Sequence, residues 1–378
     1  MIGDIAKQTD RYEQVQPDSS YTLLGMRSRI GGPFIREVKS GSEISAKKLN
    51  KVKTGDFIYS RLFAWQGSFG LVPPEMDGCY VSNEFPLYEI DHLKIHPEYL
   101  VYWFGLPHIQ KRVESDCSGS TPGTRNRFKE QFFESMDIEF PTVDSQAKIV
   151  SKIRTMAEKR QSVLELRDSC LSGAEALLNS VFREIIEGAE YFPMDQVAPL
   201  TRRPVQVDFN SEYPELGVRC FGNGTFHKPA LAGIEVGTKK LYQMVPGDLV
   251  FSNVFAWEGA MAVVKSEDEG RVGSHRFITC VPEEGVATSE FLCFYFLSKD
   301  GLTKIQEASP GGAGRNRTLG LKKLEKIEVP VPDFEKQLEF NNLLRHVSSI
   351  KSAQQDNEIE LEALMPSILD KAFKGELL

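Results

Sequence analysis

The chain has 378 residues, 41% hydrophobic and 26% charged, which is the composition of a soluble globular protein long enough for two or three domains. Its 45 Lys and Arg against 53 Asp and Glu leave a net charge of −8, so a uniformly basic nucleic-acid binder is excluded and any such surface must be local. Six cysteines, none at metal-ribbon or redox-pair spacing, exclude a disulfide framework and fit a reducing cytoplasm.

The amino terminus, MIGDIAKQTDRYEQVQ, lacks the apolar core of a signal peptide, and no stretch approaches the roughly 20 apolar residues needed to cross a bilayer. A cytoplasmic protein with no membrane association is expected. Next in the chain come short β-branched or aromatic runs bounded by Gly, Pro or Asp: Asp56 to Ser60, Gly70 to Val72 and Phe85 to Ile90. They predict strands. Pro97 to Phe104 predicts a short buried helix, and a Ser/Gly-rich stretch follows, ending in Arg125-Asn126-Arg127. After Pro141 the pattern becomes polar with helical periodicity; Ile149, Ile153, Met156, Val163, Cys170, Ala174, Leu177 and Val181 form its apolar stripe.

The plan then repeats. Gly55-Asp56-Phe57-Ile58-Tyr59-Ser60 with Phe63-Ala64-Trp65-Gln66-Gly67 recurs as Gly247-Asp248-Leu249-Val250-Phe251-Ser252 with Phe255-Ala256-Trp257-Glu258-Gly259, an offset of 192. The same offset relates Leu24-Gly25-Met26-Arg27 to Leu216-Gly217-Val218-Arg219, and Ser82-Asn83-Glu84-Phe85 to Ser274-His275-Arg276-Phe277. Strands are therefore expected at Asp248 to Ser252, Ala260 to Val264 and Phe277 to Val281, and a helix at Ser289 to Leu297 with Ser289 as N-cap. Arg315-Asn316-Arg317 closes the second Ser/Gly-rich stretch.

The final segment carries Leu343, Val347, Ile350, Gln354, Asn357, Leu361, Leu364 and Ile368 at heptad spacing, a seam whose natural partner is the first helix. A kink or new helix start is expected at Pro366, which lacks the backbone donor. The expected division is a globule over 1–143, a long helix over 144–190, a second globule over 191–333 and a second long helix over 334–378. The fold class is α+β.

Small residues in the arginine loops permit close backbone approach, while Arg and Asn suit phosphates and base edges. Arg315 to Lys326 holds five positive charges against one negative, a local basic patch. An aromatic pair after a strand commonly fills core; alternatively, Trp65 and Trp257 shape a turn that aims Arg61 and Asn253 at a ligand. The candidate DNA-contacting residues are Arg27, Arg61, Asn83, Arg125, Asn126, Arg127, Arg219, Asn253, His275, Arg276, Arg315, Asn316 and Arg317. His275 and Arg276 replace Asn83 and Glu84 at equivalent positions, as two readers of different sequences would. Phosphate-loop and zinc-hydrolase motifs are absent, and the six histidines show no metal-ligand spacing. No catalytic role, cofactor or metal is expected.

The ordered set resembles the specificity (S) subunits of type I restriction-modification systems. Ile138-Glu139-Phe140-Pro141 with Gln146, Ile327-Glu328-Val329-Pro330-Val331-Pro332 with Gln337, and the terminal Ser367-Ile368-Leu369-Asp370-Lys371-Ala372-Phe373-Lys374-Gly375-Glu376-Leu377 carry that resemblance over essentially the whole chain. It implies two target recognition domains, each reading one half of a bipartite site in double-stranded DNA, and two helices packed as an antiparallel coiled-coil ruler. It implies as partners two methylase (M) subunits, which bring S-adenosylmethionine, and restriction (R) subunits. An S-like subunit of another restriction-methylation system and a protein-binding scaffold remain open as alternatives.

Overall fold

A computed structural model describes residues 1–117, 127–311 and 317–376. The chain folds as two compact units, Met1–Arg167 with Gln355–Leu378, and Asp168–Gln354. Each combines β-sheets with helices, as the duplicated α+β pattern implies.

In the first unit, a four-stranded sheet runs in the order Ala6–Thr9, Leu87–Ile90, Phe57–Tyr59, Phe69–Leu71. A five-stranded sheet orders Tyr12–Gln14, Lys48–Lys51, Tyr80–Val81, Ser20–Met26 and Pro33–Ser40. The predicted strands thus fall within one or two residues of the observed ones, because alternating apolar side chains there face a core of Phe57, Tyr59, Phe69, Phe104, Phe128 and Phe133. Stacked and tilted rings, such as Phe69 on Phe104 at 4.1 Å, fill that core.

The second unit repeats this pairing in register. Phe57↔Leu71, Ile58↔Gly70 and Tyr59↔Phe69 become Leu249↔Val263, Val250↔Ala262 and Phe251↔Met261. A lone parallel pairing, Leu23↔Tyr80, returns as Glu215↔Val272. What the second copy loses is the edge strand: pairing shrinks to bridges at Leu200↔Cys280 and Pro204↔Tyr242. Pro199 and Pro204 stand where the first copy has Lys7 and Tyr12, and a proline cannot donate to a ladder.

Two buried networks explain the repeated motifs. The Asp of each Gly-Asp accepts two hydrogen bonds from an arginine the motif does not contain: Arg11 to Asp56 at 2.6 and 2.9 Å, Arg203 to Asp248 at 2.7 and 3.1 Å. Asp56 and Asp248 are buried, and each also accepts a backbone N–H, from Lys53 or Val245. The second network is a glutamine clamp. Gln146 accepts from the His96 amide at 2.7 Å and donates to the Lys94 and Pro141 carbonyls. Gln337 does the same with Thr288, Val286 and Pro332. Both glutamines are fully buried, and each ties the start of a long helix to the loop before the short buried helix of its own globule.

Those short helices, Pro97–Phe104 and Ser289–Leu297, match the prediction residue for residue. The expected cap of the second does not. Thr288, one residue before the expected Ser289, accepts from the Phe291 amide, while Ser289, already in the helix, donates its hydroxyl to the Gly247 carbonyl and is not the cap.

The long helix Val143–Ile186 is continuous. In the first unit, Ile149, Val150 and Ile153 share a core with Ile368, Leu369 and Ala372, while Arg160 Nε donates to the Leu361 carbonyl at 3.0 Å, so the two segments run in opposite directions. In the second unit, Leu178 and Phe182 pack with Phe340, Leu343 and Val347, with the Phe182 and Phe340 rings 5.6 Å apart. The heptad seam is only partly the buried face: Ile350, Leu364, Val163 and Leu177 are exposed, and Leu178, Phe182, Leu344 and Leu369 supply contacts instead. The second helical segment breaks at Asn357, between Phe334–Asp356 and Glu358–Phe373, and not at Pro366, which lies inside the latter helix. One lost donor is tolerated where Leu369 and Ala372 anchor the following turn in the core.

Candidate nucleic-acid interface

In both copies the Phe-Ala-Trp motif forms a short 3-10 turn, Ala64–Gln66 and Ala256–Glu258. Ala64 and Ala256 are the core residues, whereas Phe63 and Phe255 are exposed. The indole N–H of Trp65 donates to the Leu62 carbonyl and that of Trp257 to Val254, both at 3.0 Å. Gly67 and Gly259 end the turns in the left-handed region, φ 76° and 75°, which a side chain would disfavour. Each tryptophan thus bonds back onto its own turn.

A preceding loop docks onto that turn. The Arg29 and Ile30 amides donate to the Gln66 and Gly67 carbonyls at 2.8 and 2.7 Å, and those of Phe221 and Gly222 donate to Glu258 and Gly259 at 2.8 and 2.9 Å. Arg27 and Arg219 open these loops. Both are exposed and both lie over an aromatic ring, Arg27 4.9 Å from the Phe34 centroid and Arg219 5.0 Å from Phe226. Under each ring is a glycine, Gly25 or Gly217, where a Cβ would meet the ring at 2.8 or 2.3 Å. Glycine, ring and guanidinium form one stack, built twice.

Arg61, Asn83 and Arg127 come together in the first unit. Arg61 donates to the Asn83 carbonyl at 2.6 Å and pairs with Glu130. Arg127 binds both oxygens of Glu84, at 2.7 and 3.1 Å, and that carboxylate pushes its guanidinium above the ordinary arginine value. In the second unit, Asn253 takes the backbone place of Arg61: its amide donates to the Arg276 carbonyl and its carbonyl accepts from Leu319, as Arg61 does with Glu84 and Phe128. The Asn253 Oδ1 is buried with no hydrogen-bond partner among the described residues. Arg317 lies 5.2 Å from the Trp257 ring centre. Arg125, Asn126, Arg315 and Asn316 lie outside the described residues.

Beside these groups in the second unit is a concavity of about 490 Å³, lined by Phe226, Phe255, Phe277, Lys228, His275 and Arg276 among others. Lys228 Nζ lies 6.0 Å from the Phe226 centroid and 5.8 Å from Phe277. The first unit has a smaller concavity of about 170 Å³ that shares part of this lining, with Arg36 and Phe85 at the places of Lys228 and Phe277 but without Asn83 or Glu84. Alternating cations and aromatic faces suit a polyanion with stackable or groove-exposed bases. Lys228, Arg36 and the rings were not singled out by the sequence; their signal was the 192-residue offset itself, applied to every cation rather than to the longest shared motif.

The second unit also holds a polar network that the first lacks. Asp268 accepts from the Lys265 amide at 3.0 Å and from Thr225 at 2.8 Å, and bonds His227 at 2.9 Å. Burial raises its carboxyl, but those hydrogen bonds outweigh burial and hold it below the ordinary aspartate range. Among the described residues, no cluster of His, Cys, Asp or Glu has the makings of a metal site, and no helix is long and apolar enough to cross a membrane.

No family model matches the chain. A curated relative, the specificity subunit of type I restriction enzyme HindI from Haemophilus influenzae, is 20% identical over 182 residues, which is 48% of this chain and only 39% of that protein's length. The HsdS subunit from Thermoanaerobacter tengcongensis is similar in structure, with a TM-score of 0.59 at 19% identity over 99% of this chain and 95% of that one. A chain from a structure describing complex assembly and conformational transition of the type I R-M system gives a TM-score of 0.69 at 17% identity, covering 98% and 96%. In its duplicated globules and its long helices, the chain has the fold of the type I restriction-modification specificity subunits, the family its sequence motifs resemble.

Proposed function

We propose that this chain is the DNA-reading subunit of a type I restriction-modification complex, with each globule contacting one half of a bipartite site. One observation carries the reading. Two copies of a single scaffold, with the same register in their shared strands, differ at matched polar positions, Asn83 and Glu84 in one against His275 and Arg276 in the other, and the second pair lines a cation-bearing concavity. A scaffold kept constant under changed polar groups is how two sequences are read by one architecture. The stacked Arg27 and Arg219 are common to both copies and so suit the phosphate backbone, which carries no sequence information.

On this reading the long helices set the separation of the half-sites and recruit two methylase subunits, which supply S-adenosylmethionine and the chemistry; restriction subunits join the cytoplasmic complex. The chain itself needs neither cofactor nor metal. The test is a methylome comparison of the reconstituted complex carrying the wild-type chain and one with residues 83–84 and 275–276 exchanged. The exchange is expected to change the methylated sequence while methylation continues. An unchanged target sequence overturns the assignment of these positions, and binding of duplex DNA with no dependence on salt overturns the reading itself.

A further inference from the structure

The two interfaces differ in charge at three of four matched positions. In the first unit Arg61 pairs with Glu130 and Arg127 with Glu84. The backbone bonds that equate Arg61 with Asn253 and Phe128 with Leu319 place Leu321, the first residue of a helix as Glu130 is, at the position of Glu130. Arg276 occupies the place of Glu84, and Arg317 is the counterpart of Arg127 in the shared Arg-Asn-Arg, one residue further from the matched backbone bond than Arg127 is. Two arginines and two glutamates cancel in the first unit; in the second, two arginines, an asparagine and a leucine leave a charge of two positive. No carboxylate pairs with Arg276 or Arg317 among the described residues.

The pair in the first unit is of an exchangeable kind. Arg127 is about half exposed and Glu84 about a quarter exposed, and such ion pairs contribute little against solvent. The two parallel N–H···O bonds from Arg127 to Glu84 have the geometry an arginine uses on a phosphate. A carboxylate holding a guanidinium this way keeps it in the conformation for an anion while cancelling its charge.

Resting on the DNA-reading assignment above, we infer that Glu84 is an internal stand-in for DNA phosphate that latches Arg127 in the first recognition domain, whereas the second domain, with Arg276 at that place, presents its cations unlatched and supplies the larger ionic share of duplex binding. A duplex approaching the first domain must displace Glu84; one approaching the second meets no such competitor.

The test measures binding of the full-length chain to a short random-sequence duplex over a salt series, with thermal melting of each variant to verify folding. Glu84→Gln is expected to steepen the logarithmic salt dependence by about one unit, the signature of one added phosphate contact, which makes the affinity change between about 50 and about 200 mM salt three- to fourfold larger. Arg276→Glu is expected to flatten it by about the same amount. Adding Arg127→Ala to Glu84→Gln should remove the gain. A gain that persists without Arg127 overturns the latch, because mere removal of a negative charge would then account for it. Wild-type binding that is salt-dependent but unaltered by Glu84→Gln overturns this inference alone, while a wild-type chain that binds with no salt dependence overturns DNA reading and the latch with it.

Discussion

The two globules share a frame and differ in what they hang on it. Paired residues, the parallel bridge, the Arg-Asp pair, the glutamine clamp and the glycine-ring-guanidinium stack recur at offsets of 191 or 192. The ion pairs of the first interface, the Asp268 network of the second and the proline-shortened edge strand do not recur. Most of what is buried and hydrogen-bonded is common to both, the Asp268 network being the exception, while the charged groups at the surface change. A reading surface needs that division, because a side chain that specifies the fold cannot also be varied to specify a ligand.

The largest effects should come from breaking the common frame. Gln146→Ala and Gln337→Ala each leave one amide and two carbonyls without their partner in mostly part-buried surroundings, where water recovers part of the roughly 1–3 kcal/mol cost of each unsatisfied group, so a loss of about 2–3 kcal/mol is expected from either. Calorimetry of the two variants should show matched losses, each confined to one transition. A loss in only one copy would mean that the clamps are alike in geometry but not in energy.

A smaller effect separates the copies by degree. Gly217→Ala drives a Cβ to 2.3 Å from the Phe226 ring, against 2.8 Å for Gly25→Ala and Phe34. Overpacking of this kind costs about 1–3 kcal/mol, with Gly217→Ala at the upper end. Because the displaced Phe226 ring supports Arg219, Gly217→Ala should also weaken duplex binding more than Gly25→Ala, as a filter-binding comparison at fixed salt would show. Equal effects would mean that the stacks relax independently of the arginines they carry.

The smallest effect is acid sensitivity. Asp268 is held below its ordinary value in the folded chain, so its contribution is present above the unfolded aspartate value of about 3.9 and disappears as pH falls through the folded value. The second unit alone should lose this increment, since Met76 stands at the equivalent place in the first. Melting curves at falling pH are expected to show Asp268→Asn flattening the acid limb of one transition and leaving the other unchanged. Flattening of both would tie the two units together thermodynamically.

Much of the frame was legible because it is local. Strands announced themselves by alternation, and Pro97–Phe104 and Ser289–Leu297 by apolar runs behind a turn. The partners were not legible. Nothing near Gly55-Asp56 points to Arg11, which lies 45 residues away along the chain, and nothing in Arg125-Asn126-Arg127 reveals Glu84, 43 residues from Arg127. The seam was read correctly as a period and imperfectly as a face: once the helix packs on its own globule as well as on the other helix, Leu178, Phe182 and Leu369 serve two neighbours, and strict heptad positions such as Ile350 are left outside. Pro366 drew attention as a breaker, yet Asn357 has the break, because tertiary packing around Leu369 decides which weak point yields.

The glutamine clamp has one more consequence, for inheritance. Each clamp draws all its bonding partners from its own copy: Lys94, His96 and Pro141 for Gln146, and Val286, Thr288 and Pro332 for Gln337. A genetic crossover that carries a whole globule together with the first turn of its helix therefore imports a complete joint, with no mismatched donor left behind. Exchange of a globule at these two joints thus leaves both clamps whole, and the fit left to restore is where Ile368 and Leu369, or Leu178 and Phe182, enter its core.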